Sequence, residues 1–438
     1  MESVARKIVQ RLREAGHQAF FAGGCVRDSL MGKTPHDFDI ATSARPEQVQ
    51  ALFPRTIPVG AQFGVVLVVE EGRDYQVATF RADGTYLDGR RPTSVTFTSP
   101  EGDAKRRDFT INGLFYDPIE GKVLDFVGGR EDLETRTLRA IGNPADRFAE
   151  DKLRLLRAVR LATVLDFTIE AGTWHAVCNG APSIRDVSAE RIRDELVKIF
   201  ASPQRLRGFD LLDASGLMDQ IVPEILPLKG CEQPADFHPE GDVFVHTRLM
   251  LALLPASASV PLVLATLFHD LGKPPTMERD PTGRIRFNRH ESVGAQMTEK
   301  IMRRLRFSNE EIEATTAMVQ NHMVFKDVQN MRVSRLKRFL ARPSFDDELE
   351  LHRVDCLASH GNLDNYEFLK RRREELGNEP LIPRPLLTGH DLIALGWKPG
   401  PKFKIVIDAI QVRQLEGILR TREEAISWVE KEFTATPP

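Results

Sequence analysis

Two aspartates separated by one residue are the first side chains here whose spacing suggests chemistry. Asp37 and Asp39 flank Phe38 and precede Ile40. In an extended segment, residues two apart point to the same side, so the two carboxylates would stand together. Adjacent carboxylates repel unless a cation neutralises them, and hard oxygen ligands favour Mg²⁺. We therefore predict a Mg²⁺ site, the alternative being a solvated Asp-x-Asp turn.

A glycine pair lies shortly before these aspartates. The segment AFFAGG (19–24) predicts a strand that turns at Gly23-Gly24 into a helix starting near Val26. Such a turn lets backbone N–H groups approach a phosphate at the helix N-terminus. A plain tight turn is the alternative, but the glycine pair followed by the aspartate pair is much rarer than either alone.

Two later clusters add cationic and polar groups. The segment RRDFTING (106–113) places two arginines beside Asp108 and Asn112, a set that suits triphosphate oxygens and a ribose. The segment EDKLR (150–154) falls in a predicted long helix over 146–165, where Asp151 and Arg154 would be neighbours on one face. A surface salt-bridge cluster and an ordinary helical ion pair are the respective alternatives.

In this order, the clusters resemble the motifs of class II tRNA nucleotidyltransferases, the family of CCA-adding enzymes and bacterial poly(A) polymerases. The resemblance covers about residues 18–200 and also includes LDFVGGREDL (124–133). It implies that Asp37 and Asp39 are catalytic and bind two Mg²⁺ ions, one activating the RNA 3′-hydroxyl and one holding the incoming triphosphate. It also implies a set of nucleotide-binding residues: Gly24, Arg27, Arg107, Asp108, Asn112, Asp151, Arg154 and Arg157.

In this resemblance Asp151 and Arg154 select the base. Cytosine and adenine both present an exocyclic amine beside an unprotonated ring nitrogen. A carboxylate accepts a hydrogen bond from the amine while a guanidinium donates to the ring nitrogen. Guanine and uracil present the reverse pattern and leave both side chains mispaired. The substrates implied are therefore CTP and ATP.

The segment FRADGTYLDGRRPTSVTFT (80–98) predicts a mobile loop between strands. In the family such a loop accompanies the final A addition, so its presence argues against an enzyme that adds only CC. The basic segment associated with poly(A) polymerases is not evident, which disfavours poly(A) synthesis. An enzyme adding only A, or a poly(A) polymerase, nevertheless stays open as an alternative.

A second constellation consists of widely spaced histidines and aspartates. The segment FHDLGKP (268–274) follows an apolar helix and resembles an HD-superfamily phosphohydrolase. The resemblance implies His246, His269, Asp270 and Asp355 as core metal ligands, with His290 and His322 added in two-metal members. Imidazole and carboxylate ligands suit Mn, Fe, Ni or Zn.

The implied reaction is hydrolysis of 2′,3′-cyclic or 2′-phosphates at RNA ends, and Lys273 would reach a phosphate oxygen. The alternative is an HD fold kept for packing. We interpret His352 and His360, near Asp355, as surface helix residues, the alternative being that either of them is a metal ligand in place of one named above.

Composition bears on how the protein would bind RNA and on where in the cell it would act. The 438 residues carry a net charge of −3, so RNA binding would rest on local basic clusters. Four dispersed cysteines, no signal peptide and no long apolar run predict a reducing, cytoplasmic location without membrane contact.

We expect an α+β protein. A small mixed-sheet head (1–145) would be followed by an elongated helical neck (146–225), an HD domain (226–376) and a helical tail (377–438). The tail and the basic clusters would contact the acceptor arm and 3′ end of tRNA. A different class of function, an RNA-end phosphohydrolase with a degenerate transferase head, is disfavoured by the intact aspartates. The oligomeric state stays open.

Overall fold

The computed structural model describes residues 1–60, 63–84, 94–234, 238–377 and 380–433. These residues form two compact units. One comprises Met1–Leu226 with Ile301–Phe307, and the other comprises Pro227–Lys300 with the chain from Ser308 onward. Among the described residues, no helix has both the length and the apolar character that a membrane span requires.

The first unit is built on a mixed sheet. The strands of this unit are β1 (Ala19–Ala22), β2 (Ile40–Thr42), β3 (Thr56–Gly60), β4 (Val65–Glu70), β5 (Arg73–Thr79), β6 (Arg81–Asp83), β7 (Val95–Phe97), β8 (Phe115–Asp117), β9 (Lys122–Leu124), β10 (Thr137–Leu138) and β11 (Thr168–Ile169). In the described part of the chain the main sheet runs in the order β3-β4-β5-β2-β1-β8-β9. β1 is an interior strand and pairs antiparallel with both β2 and β8, while β2, the middle strand, pairs parallel with β5.

Side-chain alternation along β1 divides the core into two faces. Phe21 packs with Ile40 and Val77 on the face covered by the first helix. Phe20 and Ala22 belong to the other cluster, with Phe80 and Phe115. This period of two follows from the pleat of the strand. It confirms the predicted strand within 19–24, which forms over Ala19–Ala22.

The helices of the first unit are α1 (Glu2–Glu14), α2 (Gly24–Leu30), α3 (Pro46–Leu52), α4 (Pro100–Lys105), α5 (Gly129–Glu134), α6 (Pro144–Glu150), α7 (Leu153–Leu165), α8 (Ala171–Gly180), α9 (Ala189–Phe200), α10 (Arg205–Ala214) and α11 (Leu217–Ile221). The prediction of one continuous helix over 146–165 is wrong. Asp151 adopts an extended conformation (φ −136°, ψ 101°), and its Oδ1 accepts a hydrogen bond from the N–H of Leu153. An aspartate that bonds the backbone two residues on favours a turn over helix continuation.

The second unit is largely helical. Its elements are α12 (Val243–Leu253), α13 (Val260–Phe268), α14 (Lys273–Thr276), β12 (Met277–Arg279), β13 (Ile285–Phe287), α15 (His290–Arg304), α16 (Asn309–Asn321), α17 (Val333–Leu340), α18 (Phe345–Ala358), α19 (Asp364–Leu376), α20 (Gly389–Ala394), α21 (Pro401–Leu415) and α22 (Arg422–Phe433). The last turn of α15, from Ile301, is counted with the first unit. The last three helices share a core that includes Leu392, Ile410 and Val429.

The loop predicted over 80–98 lies partly outside the described residues. Its described ends form β6 and β7, which pair antiparallel, with Arg81 opposite Phe97. The flanking strands are therefore present as predicted, and the central segment 85–93, with Gly89, Arg90, Arg91 and Pro92, is not among the described residues.

Candidate functional site

A cavity of about 460 Å³ in the first unit gathers all ten residues predicted for nucleotidyl transfer. They come from the β1–α2 turn, the segment before β2, the segment after α4, the α6–α7 junction and α7. The predicted residues lining it are Gly24, Arg27, Asp37, Asp39, Arg107, Asp108, Asn112, Asp151, Arg154 and Arg157. Arg106 and Arg160 also line it. Arg106 is the first arginine of the RRDFTING segment, and Arg160 is a residue that the sequence did not single out for nucleotide binding.

The glycine turn brings the chain close to the arginines of this cavity. Gly23 has φ +76°, and a Cβ at this position would lie 2.8 Å from Nη1 of Arg107. Glycine is the residue that adopts this conformation without steric cost. The turn therefore allows the backbone and the Arg107 guanidinium to approach each other beside α2.

Asp37 and Asp39 precede β2 and are not within it, because the strand begins at Ile40. The alternation still holds. Phe38 is buried and its ring centroid lies 5.1 Å from that of Phe21, whereas both carboxylates line the cavity. Burial, together with the negative charge of Asp37, raises the pKa of Asp39 to about 6, against an opposing effect of Arg107. A cation at this point would relieve that repulsion, so the donor set fits Mg²⁺.

Arginine–carboxylate contacts hold the rest of the cavity wall. Arg157 Nε donates to Asp108 Oδ2 at 2.8 Å, and Asn112 Nδ2 donates to Asp108 Oδ1 at 3.0 Å. Burial alone would raise the pKa of Asp108, but the Arg157 guanidinium and these hydrogen bonds hold it well below its usual range. Asp103, beneath the cavity, similarly anchors Arg107 through Nη2 at 3.1 Å. Six arginines against four aspartates make the lining suitable for a polyanion.

Asp151 and Arg154 both reach the cavity, but not as neighbours on one helical face. Asp151 accepts from Arg191 Nη2, at 3.0 Å for Oδ2 and 3.2 Å for Oδ1. Arg154 donates to the Glu150 carboxylate at 2.8 Å and to the carbonyl of Arg147 at 3.0 Å. The helix break between them, absent from the predicted long helix, gives each side chain separate supports.

A second polar cluster lies in the second unit. His246 belongs to α12, His269 and Asp270 follow α13, His290 begins α15, His322 follows α16, and Asp355 belongs to α18. The ligand atoms of His246, His269 and Asp270 lie within 4.8 Å of one another, as do those of Asp270, His290 and His322. Asp355 joins through its Oδ1, 3.1 Å from Nε2 of His246. All six predicted residues therefore come together, with Asp270 shared by both triads.

The four imidazoles are oriented in the same way. Each Nδ1 is bonded away from the cluster: His269 to the carbonyl of Thr266 (2.9 Å), His290 to Phe287 (2.8 Å), His322 to Val319 (2.7 Å) and His246 to Glu240 Oε1 (2.7 Å). This leaves each Nε2 as the inward atom. A hydrogen bond between Nδ1 and a group that does not itself bind the metal is the usual way in which a protein fixes a metal-binding histidine.

The inward-facing atoms are better suited to binding a metal ion than to hydrogen bonding with one another. Asp270 Oδ1 is buried and has no hydrogen-bond partner among the described residues. The Nε2 atoms of His290 and His322 face each other at 3.1 Å. Burial and the neighbouring His269 lower the pKa of His322 to about 3, which keeps it in the neutral form that binds metals. Buried imidazole and carboxylate donors of this kind suit a divalent transition metal.

Carboxylates also favour positive charge at His246. Burial lowers its pKa, but hydrogen bonds with Asp355 and Glu240 outweigh this and raise it to about 9. We missed Glu240 and His238 in the sequence, although both lie in the run HPEGD just before α12. His238 Nδ1 lies 2.9 Å from the same Glu240 oxygen.

Two further residues singled out in the sequence, Lys273 and His352, have surroundings that differ from those expected. Lys273 Nζ lies 2.7 Å from Asp270 Oδ2 and 2.6 Å from Gln233 Oε1, so it is built into the cluster wall. The prediction that His352 is a surface residue is wrong. It is buried and stacks on Phe325 at 4.7 Å, because its position on α18 faces the hydrophobic core, whereas His360 is exposed as predicted.

The chain is similar to known protein families and to proteins of known activity. Three family models match: the poly A polymerase head domain over residues 19–139, the probable RNA and SrmB-binding site of polymerase A over 166–228, and the HD domain over 243–356. A CCA-adding enzyme of Levilactobacillus brevis is 31% identical over 426 residues, which is 97% of this chain and 96% of the relative. The chain belongs to the CCA-adding enzyme family.

Other members are more similar over a shorter stretch, about half of this chain. The CCA-adding enzyme of Geobacillus stearothermophilus is 46% identical over 211 residues, covering 48% of this chain and 52% of the relative. In such alignments the chain spans about half the length of these relatives. The crystal structure of the Bacillus stearothermophilus CCA-adding enzyme in complex with CTP has a TM-score of 0.75 at 28% identity, covering 98% of this chain and 97% of that one. The predicted fold, a mixed-sheet head followed by helices and an HD domain, is thereby confirmed.

Proposed function

We propose that this chain adds C, C and A from CTP and ATP to the 3′ end of tRNA without a nucleic-acid template. One observation carries the proposal. Asp37 and Asp39, the arginines and the pair Asp151 and Arg154 all line one cavity of about 460 Å³. A volume of this size is typical of a pocket for one small ligand such as a nucleotide.

Within the cavity we assign different roles to the acidic, basic and polar side chains. Asp37 and Asp39 would hold Mg²⁺, which when bound supplies charge neutralisation for a triphosphate and a 3′-hydroxyl. Arg107 and Asn112, which line the cavity, would contact the ribose and triphosphate. Asp108, ionised and fixed by Arg157, keeps an acceptor in place for a ribose hydroxyl. Catalysis is then mainly positioning and charge neutralisation.

Base selection falls to Asp151 and Arg154. The carboxylate accepts from the exocyclic amine of cytosine or adenine, and the guanidinium donates to the adjacent ring nitrogen. The contacts of Arg154 with Glu150 and with the carbonyls of Arg147 and Arg106 fix the guanidinium. A guanidinium carries five N–H donors, so donors remain for a base.

Nucleotide choice tests this proposal directly. Each radiolabelled nucleoside triphosphate would be offered singly, with Mg²⁺, to tRNA ending at the discriminator base and to tRNA ending in CC. The proposal expects C on the first RNA and A on the second, with GTP and UTP at background. Incorporation of all four nucleotides, or of none, would overturn it.

For the second unit we propose a metal-dependent phosphohydrolase acting on 2′,3′-cyclic or 2′-phosphates of RNA ends. The buried cluster of four inward Nε2 atoms with Asp270 and Asp355 supports it. Mn, Fe, Ni or Zn would be the resident ion, supplying an activated water when bound. Release of phosphate from a 2′-phosphorylated RNA, or opening of a cyclic phosphate, is the test. If the protein hydrolyses neither substrate with any of these ions, the histidine cluster has a structural role.

We also propose the partner, the domain division and the location. The acceptor arm of tRNA is the partner. Arginines 332, 335, 338 and 342 line a further cavity of about 500 Å³ in the second unit and offer cations to RNA phosphates. The proposed division is head 1–145, neck 146–225, HD domain 226–376 and tail 377–438. The four free cysteines favour the cytoplasm.

A further inference from the structure

Helix α9 contacts the nucleotide cavity from outside, through two side chains four residues apart. Arg191 bonds the Asp151 carboxylate, and Glu195 Oε2 accepts from Arg160 Nε at 2.5 Å. Residues at this spacing lie on one face of a helix. Asp151 and Arg160 both line the cavity, whereas Arg191 and Glu195 are not among its lining residues.

The contact with Arg191 matters because Asp151 lies at a break between two helices. The Leu153 N–H holds only Oδ1, at 3.2 Å. Nη2 of Arg191 lies between both oxygens, at 3.0 and 3.2 Å, and so restricts rotation of the carboxylate plane. Terminal sp³–sp² torsions such as this one are otherwise broad.

The second contact shows that α9 is built to support this wall. Glu195 is only 4% exposed, so its charge needs a partner, and Arg160 supplies one. The same helix thus fixes an acidic and a basic side chain of the cavity. These two contacts are more typical of a helix that supports the cavity wall than of an ordinary surface ion pair.

We propose that Arg191 is a positioning residue that fixes the Asp151 carboxylate and thereby sets nucleotide specificity. This inference rests on the proposed function. A correctly placed carboxylate accepts from the amine of cytosine or adenine, and a fixed one cannot turn away from the carbonyl oxygen of uracil or guanine. Discrimination arises because that mismatch leaves polar groups unpaired. A carboxylate free to rotate avoids part of the penalty.

The test compares Arg191→Ala, Arg191→Lys and, as a matched control, Arg193→Ala in the full chain. Arg193 belongs to the same helix but bonds Asp194 and not a cavity residue. Single-nucleotide incorporation into tRNA ending at the discriminator base would give kcat and KM for CTP and UTP. We expect Arg191→Ala to lower the CTP-to-UTP ratio of kcat/KM by about 10-fold, through a higher KM for CTP and a lower KM for UTP. Arg191→Lys should recover part of the ratio, and Arg193→Ala should match the wild type.

Each other outcome is decisive. An equal loss of kcat/KM for both nucleotides, or an unchanged ratio in Arg191→Ala, would overturn the inference while leaving the proposed function intact. A wild-type protein that incorporates neither C nor A would overturn both. Arg191→Gln, which keeps most of the side-chain volume, repeats the test if the melting temperature of Arg191→Ala falls.

Discussion

The two polar centres of this chain satisfy their charges in opposite ways. In the first unit, carboxylates and guanidiniums mostly pair with each other, as Asp108 does with Arg157. In the second unit, four imidazoles turn their Nε2 atoms inward around Asp270, whose Oδ1 has no hydrogen-bond partner among the described residues. The difference teaches that an arginine-rich, self-paired lining suits a large exchangeable anion. A buried set of incompletely paired donors suits a resident ion.

The largest expected effect separates the two centres outright. Asp39→Ala removes one of two cavity carboxylates that would hold Mg²⁺, so nucleotide incorporation should fall by about 100- to 1,000-fold. Phosphohydrolysis in the second unit should be unchanged. Asp74→Ala, at an exposed position of β5, is the control. Incorporation near the wild-type rate in Asp39→Ala would show that the metal assignment is wrong.

The reciprocal change addresses the histidine centre. His269→Ala removes an inward Nε2 and should reduce hydrolysis of a 2′,3′-cyclic phosphate by at least about 100-fold, while tRNA extension continues. His360→Ala, on an exposed histidine, should behave as wild type. If the variant folds normally and both activities disappear, the separation of the two centres fails.

A smaller effect is expected from the support around His246. Glu240→Ala removes the acceptor of its Nδ1 hydrogen bond, so the affinity for the resident transition metal should fall about 10- to 100-fold. Glu240→Gln keeps an acceptor and should lose less. Competition with a fluorescent chelator measures both, against exposed Glu232→Gln. Unchanged affinity in Glu240→Ala would mean that His246 needs no such support.

The smallest expected effect lies outside both centres. Ser308 caps α16, the helix that ends just before His322, and Glu311 bonds back to its N–H at 2.9 Å. Ser308→Ala should lower the free energy of unfolding by about 1 kcal/mol, measured by urea denaturation, without changing either activity at 25 °C. A matching loss of phosphohydrolysis would instead link the cap to the geometry of the histidine centre.

The sequence predicted much of the first centre because its residues lie in short, ordered motifs, whereas the widely spaced ligands of the second followed from the resemblance of FHDLGKP (268–274) to an HD-superfamily phosphohydrolase. Gly23-Gly24 with Asp37 and Asp39 requires only local alternation, and the structure shows both features in place. The supports escaped prediction. The partner of Asp151 is Arg191, 40 residues away, and the break at Asp151 depends on one side-chain hydrogen bond. The burial of His352 likewise depends on how α18 packs against Phe325, which helical periodicity alone did not reveal.

Sequencing of extended 3′ ends tests the central claim, that one protein-lined cavity directs CCA synthesis, most directly. Purified protein would receive tRNA ending at the discriminator base together with CTP, ATP and Mg²⁺, with Asp39→Ala in parallel. We predict products that end in CCA and stop there, and extension by the variant that is about 100- to 1,000-fold slower. Extension only of a tRNA that already ends in CC, by a single A, or growth of long A tails, would contradict this prediction.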